Sequence, residues 1–143
     1  MIWKVPIVMV LVTFTVIIQA IGLGVLLKFL MKWQKSLPTC FWPIIWLMTR
    51  VSLWLIAMHL IEISVWGFFY FWSGCLPDAE SALYFSGVTY ATIGYGDLVL
   101  PKVWRMLGPV EGLTGILMCG LSAAIFYTVL GRIYSVCAQA KRK

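Results

Sequence analysis

Three long apolar stretches constrain this chain more than any other feature. A helix needs about 20 predominantly apolar residues to cross the hydrocarbon core of a bilayer. The first stretch runs from Val5 to about Leu30, and its only charge, Lys28, sits near one end where it can snorkel. The second runs from Phe41 to Trp72, and the third from just after Pro101 to about Cys137. Of the 143 residues, 62% are hydrophobic and only 11% are charged, with a mean hydropathy of +0.97. Soluble domains carry about 25% charged residues, so this composition describes an all-α integral membrane protein with three transmembrane helices.

The first stretch has a rival reading as a signal peptide, given Met1, Lys4 and the apolar run behind them. The run continues through Ile21-Gly22-Leu23-Gly24-Val25-Leu26-Leu27 without a convincing cleavage site, which favours a retained helix. The second stretch is longer than one crossing requires, and Arg50 divides it. Residues 38–50, with Trp42, Pro43 and Trp46, suit a segment lying along the interface, and residues 51–72 the crossing itself. Lys28, Lys32, Lys35, Arg50, Arg132, Lys141, Arg142 and Lys143 fall on one side if the loop before the third stretch faces the other. The opposite side holds Lys4, Lys102 and Arg105 with Asp78, Glu80 and Asp97. The excess of Lys and Arg marks the cytoplasmic side. The expected protein is multi-pass in the plasma membrane (the inner membrane if bacterial), with the amino terminus outside and the carboxyl terminus cytoplasmic.

Several function classes are excluded. One histidine, no Gly-rich phosphate loop, no metal-spaced His/Cys cluster and no nucleophile–base arrangement argue against an enzyme. The net charge of +6 is distributed as a topology signal, not as a nucleic-acid surface. Cys40, Cys119 and Cys137 lie in or beside apolar stretches and read as small hydrophobes. Cys75 falls in an expected external loop, where a free thiol or an intersubunit disulfide are both open.

Between the second and third stretches stands Thr92-Ile93-Gly94-Tyr95-Gly96-Asp97. These six residues resemble, at every position, the selectivity filter of the potassium channel family, T-[VI]-G-Y-G-D. The resemblance implies that main-chain carbonyls of Thr92, Ile93, Gly94, Tyr95 and Gly96 replace the hydration shell of K+. Gly94 and Gly96 permit the required backbone, because glycine reaches positive φ with little penalty. Thr92 would add a hydroxyl ring, and Asp97 and Tyr95 would brace the loop from behind. Before the motif, Pro77-Asp78-Ala79-Glu80-Ser81 reads as a helix start, with Asp78 as cap and Glu80 favourable in the first turn. Residues 78–91 would then be the family's re-entrant pore helix, with Tyr84, Phe85, Val88 and Tyr90 packing around the filter. A surface turn is the competing reading of G-Y-G-D, and the apolar surroundings argue against it.

The resemblance further implies an outer helix at 51–72, a filter at 92–97 and an inner helix at 102–138, all within a pore domain of residues 37–143. Residues 1–36 form an extra span and a basic linker, expected to pack around the outer helix and face lipid. One strand cannot surround an ion, so a homotetramer is implied, with K+ and membrane lipids as partners and no cofactor beyond K+. Arg105 is followed ten residues later by Gly115, a spacing similar to simple bacterial potassium channels. Gly115 is the candidate hinge and Gly120 the second candidate, with ordinary helix packing as the alternative for both. Ile116, Cys119 and Ala123 would face the cavity, and Tyr127 the cytoplasmic constriction. Gly108-Pro109 departs from the family pattern and marks a place for a kink or a restart.

Glu62 and Glu111 are carboxylates inside apolar stretches, costly unless paired, protonated or wet. His59, three residues before Glu62, can pair with it. Glu111 could reach the back of the filter or Arg105. Two readings stand: structural hydrogen bonds, or a titratable sensor made of His59, Glu62 and Glu111. The chain has no arginine-repeat voltage sensor, and six residues follow Cys137. A separate gating subunit is therefore a further partner to consider. A weakly selective cation channel and a non-conducting, pore-like modulatory subunit are the alternative functions.

Overall fold

The computed structural model describes residues 5–33 and 41–140. Among them are four helices and no strand: α1 (Val5–Trp33), α2 (Phe41–Trp72), α3 (Ala79–Tyr90) and α4 (Leu107–Ala140). Three are long and apolar enough to cross a membrane, over Val5–Lys32, Trp42–Trp72 and Leu107–Ser135. The short α3 is held between α2 and α4, and α1 packs against both α2 and α4. Lys4, Lys35, Cys40, the 36/37 boundary, residues 38–40 and the terminal Lys141-Arg142-Lys143 lie outside the described residues.

Each long helix buries one stripe. On α2 it is Leu47, Val51, Leu55, Met58, Glu62, Trp66 and Tyr70, spaced by three or four residues. This stripe passes Arg50 without a break, which is why α2 is one helix where the sequence suggested an interfacial piece and a separate crossing. Pro43 does not interrupt it either, because it lies in the first turn, where a backbone N–H has no helical partner to lose. On α1 the stripe is Leu11, Thr15, Gln19 and Leu26, while Val10, Phe14, Ile17 and Ile21 are exposed on the other side.

The third stretch begins as a helix later than its hydropathy suggests. The expected start at 102 is corrected to Leu107. Residues ahead of it turn instead, with Trp104 N–H donating to Pro101 O (2.8 Å) and Leu107 N–H to Trp104 O (2.9 Å). Pro109 explains the boundary: it fits only in the opening turn, so the helix starts two residues before it and is not kinked by it. Arg105 accordingly precedes α4.

Two apolar clusters close the two ends of the bundle. One joins Leu11, Trp66, Tyr70, Cys75, Leu76, Ala82, Leu100 and Leu107; the other joins Leu26, Leu47, Val51, Leu55, Val129 and Ile133. Cys75 belongs to the first, so burial withdraws its thiol from a disulfide with a second chain. Between the clusters lies a buried polar layer. Gln19 on α1 donates to Met118 O (3.2 Å) and Ser122 Oγ (2.9 Å) on α4. Trp66 Nε1 donates to Thr15 Oγ1 (3.0 Å), which in turn donates to Leu11 O (2.9 Å). The first span is thus bonded to α4 as well as packed on α2.

Candidate functional site

The helix α3 is fixed at its start by its cap. Asp78 is extended (φ −146°, ψ 165°), and its Oδ1 accepts from Ser81 N–H at 2.7 Å while Oδ2 accepts from Ser81 Oγ at 2.9 Å. These bonds, the backbone one first, hold the Asp78 carboxyl below the usual aspartate range. Glu80 in the first turn complements the positive helix end.

At its other end α3 flows into the hexapeptide through a Schellman closure. Thr92 N–H donates to Thr89 O (2.9 Å) and Ile93 N–H to Val88 O (2.9 Å), so two orphan carbonyls of the last turn are satisfied by the loop itself. The motif needs a left-handed residue just past the helix, usually glycine. Here it is Thr92, at φ 58°, the one non-glycine with positive φ among the described residues. A β-branched residue in that region is strained, and such strain collects at functional sites.

Beyond Thr92 the sign of φ alternates: positive at Thr92, Gly94 (59°) and Gly96 (79°), and not at Ile93 or Tyr95. Such an alternation of φ sign keeps the segment from continuing as either a helix or an extended strand. A Cβ at Gly94 or Gly96 would meet open space, so both glycines are required by backbone conformation and not by crowding. The far end of the loop is tied back to α3, where Tyr84 Oη donates to Asp97 Oδ2 at 2.8 Å. That hydrogen bond is the main cause holding the Asp97 carboxyl below the ordinary aspartate range. Val88 supports the loop through its carbonyl, and Phe85 packs edge-on against Tyr70 at 5.3 Å between centroids.

Two buried carboxylates brace α3 from behind. Glu62 on α2 accepts from Tyr90 Oη through Oε2, and His59 Nδ1 lies 3.3 Å from that oxygen and 3.1 Å from Tyr90 Oη. The pair expected between His59 and Glu62 is therefore a triad that includes the last residue of α3. Glu111 on α4 accepts from Tyr70 Oη at 2.6 Å through Oε2, and its Oε1 lies 2.5 Å from Ser86 Oγ. Ser86 Oγ also lies 2.8 Å from Ile63 O, so one hydroxyl links α2, α3 and α4. Both carboxylates are fully buried, and Arg105 is exposed and not among the partners of Glu111. Burying such groups without partners would cost several kcal/mol, on the order of the whole stability of a small domain.

On α4, Gly115 lies directly against the end of α3, where an added Cβ would collide with the Tyr90 carbonyl oxygen. Gly120 has nothing within 4 Å of such an atom. Ile116, Cys119, Gly120, Ala123 and Tyr127 share an exposed face of α4, away from the stripe of Glu111, Thr114, Met118 and Ser122. The sequence had marked the former set but not Tyr70, Ser86, Gln19 or Ser122. For Ser86 a signal existed, since Ala82, Ser86 and Tyr90 form a four-residue-spaced buried stripe on α3.

A family model described as an ion channel matches residues 58–132, from the middle of α2 through α3 and the hexapeptide to the last part of α4. No curated protein and no solved structure matches. The match covers more than half of the chain and encloses both carboxylate braces and the loop that they support: the chain belongs to the ion channel family.

Proposed function

We propose that four copies of this chain enclose a potassium-selective pore, which passes K+ down its gradient without chemistry or a cofactor. The observation that carries this reading is the alternation in the sign of φ from Thr92 to Gly96, in a sequence that resembles a potassium filter at each position. If the five carbonyls of such a loop face one axis in four copies, they form a stack of oxygen rings, and such rings can replace water around a dehydrated cation. The carboxyl end of α3 adds a partial negative charge below them. The exposed face of α4 with Ile116, Ala123 and Tyr127 would line the cavity, and Gly120, where an added Cβ meets nothing within 4 Å, is a better hinge than Gly115, which is packed on the end of α3. The Lys/Arg distribution supports a filter opening outward, with the carboxyl terminus in the cytoplasm.

The test is a bi-ionic reversal potential, with purified protein in a planar bilayer and potassium opposite sodium. Reversal far from zero in the potassium-selective direction is the expected result. Reversal near zero would demote the loop to a weakly selective cation path. Silence in both directions, with protein verified in the bilayer, would favour a modulatory subunit.

A further inference from the structure

Between α1 and α2 lies a groove of about 510 Å³, lined by Val25, Leu26, Phe29, Leu53, Trp54 and Ala57 with Arg50 at its edge. We propose that this groove is a binding site for one anionic phospholipid, its phosphate on Arg50 and an acyl chain laid along the apolar wall.

Depth in the membrane is the first argument. Arg50 and Trp72 are 22 residues apart on one unbroken helix, which at 1.5 Å per residue is about 33 Å. The hydrocarbon core is about 30 Å thick, so with Trp72 at one interface Arg50 stands at the phosphate level of the other. From there Leu53, Trp54 and Ala57 descend into the acyl region. The groove therefore begins where a headgroup sits and continues where a chain sits.

Charge is the second. No Asp or Glu occurs before Glu62, so nothing in the first 61 residues can neutralise Arg50, Lys28 or Lys32. Among the described residues the only ion pair is His59 with Glu62. The Arg50 guanidinium instead stacks on Trp46, its Cζ 4.8 Å from the ring centroid, which leaves its hydrogen-bond donors for an anion. Lys28 and Lys32 are exposed near the same end of α1 and add to the local potential. A zwitterionic lipid would satisfy the groove but not this excess of positive charge.

Third, the apolar wall is preformed. Trp54 Nε1 donates to Gly22 O at 3.1 Å, which fixes the indole between α1 and α2. Both walls are therefore set before a lipid arrives, and the chain that enters loses less entropy than on a mobile surface.

The experiment uses the full chain in detergent, titrated with phosphatidylglycerol or phosphatidylcholine brominated on the acyl chains. The readout is the part of tryptophan quenching that disappears in Trp54→Phe. Phosphatidylglycerol should quench this component at a concentration about fivefold lower than phosphatidylcholine, the factor expected from one phosphate contact with an interfacial arginine. Arg50→Gln should abolish the preference and leave quenching by phosphatidylcholine unchanged. Ala57→Leu keeps Arg50 but fills the groove, and should weaken quenching by both lipids. Equal quenching by the two lipids in the unaltered chain would overturn the proposal, as would a preference that survives Arg50→Gln or quenching untouched by Ala57→Leu. None of these readings depends on ion selectivity, so the site and the proposed pore succeed or fail separately.

Discussion

Gly115 of α4 rests on the carbonyl oxygen of Tyr90, the last residue of α3, with no room for a methyl group between them. The obstacle is backbone and cannot rotate away. Gly115→Ala should therefore destabilise the protein by about 2–3 kcal/mol, toward the upper range for overpacking. Gly120→Ala, which meets nothing, should leave stability within about 0.5 kcal/mol of the original, or raise it slightly through helix propensity. Thermal unfolding of the two variants in the same detergent separates them.

Glu111 should tolerate loss of its charge but not loss of its shape. In Glu111→Gln the amide oxygen can accept from Tyr70 Oη and the amide N–H can donate to Ser86 Oγ, whose own proton goes to Ile63 O. Glu111→Ala leaves the buried Tyr70 hydroxyl without an acceptor, at about 1–3 kcal/mol, and opens a cavity as well. Melting temperatures near the parent for Gln and well below it for Ala are the expected outcome. Equally large losses in both variants would show that the carboxylate charge itself is structural.

Tyr84 and Asp97 make a pH prediction with a definite sign. The folded carboxyl titrates below the ordinary 3.8 because Tyr84 donates to it. Its contribution to stability is complete above that value and is lost only as pH falls through the lowered one. The tie should thus persist from neutral pH down to about pH 4 and release in stronger acid. Tyr84→Phe removes the donor and should move the Asp97 titration upward, toward 3.8, in a carboxyl carbon NMR titration. An unmoved titration would mean that the backbone N–H bonds to Asp97 govern it.

Thr92 is held at φ 58°, where glycine would be at ease. Thr92→Gly should preserve the Schellman closure and gain on the order of 1 kcal/mol from relief of left-handed strain, offset in part by the flexibility of the unfolded chain. If the proposed filter is correct, the same change lowers the potassium-to-sodium permeability ratio by removing a hydroxyl ring. Gain in stability with loss of selectivity would show that the strain is tolerated for the sake of the Thr92 side chain. Unchanged selectivity would reduce Thr92 to a cap residue.

Local signals in the sequence were legible where the physics is local. Length and hydropathy located the three spans, and Asp78 with Glu80 located the start of α3. Hydropathy misplaced the start of α4 because residues 102–106 turn without being polar enough to announce it. The charge of Arg50 suggested a break in α2 that the buried stripe on either side overrides. Contacts distant in sequence were beyond reach altogether. Gln19 lies 103 positions from Ser122, and Tyr70 lies 41 from Glu111. Gln19, Ser122 and Tyr70 each read by themselves as ordinary polar residues in membrane helices, and only the packing of α4 against α1 and α2 reveals their partners.

That packing bears on how the chain could be divided. The ion-channel match begins at residue 58, which invites the view of α1 as a detachable anchor beside a self-sufficient core. The Thr15 and Gln19 bonds contradict such modularity. A chain cut to begin at α2 would turn the Trp66 indole N–H and the Ser122 hydroxyl toward hydrocarbon, where no water can stand in for the partners removed. The first helix is therefore a keel and not a tether: whatever tilts it in the bilayer also pulls on α4, over a lever arm of a single side chain.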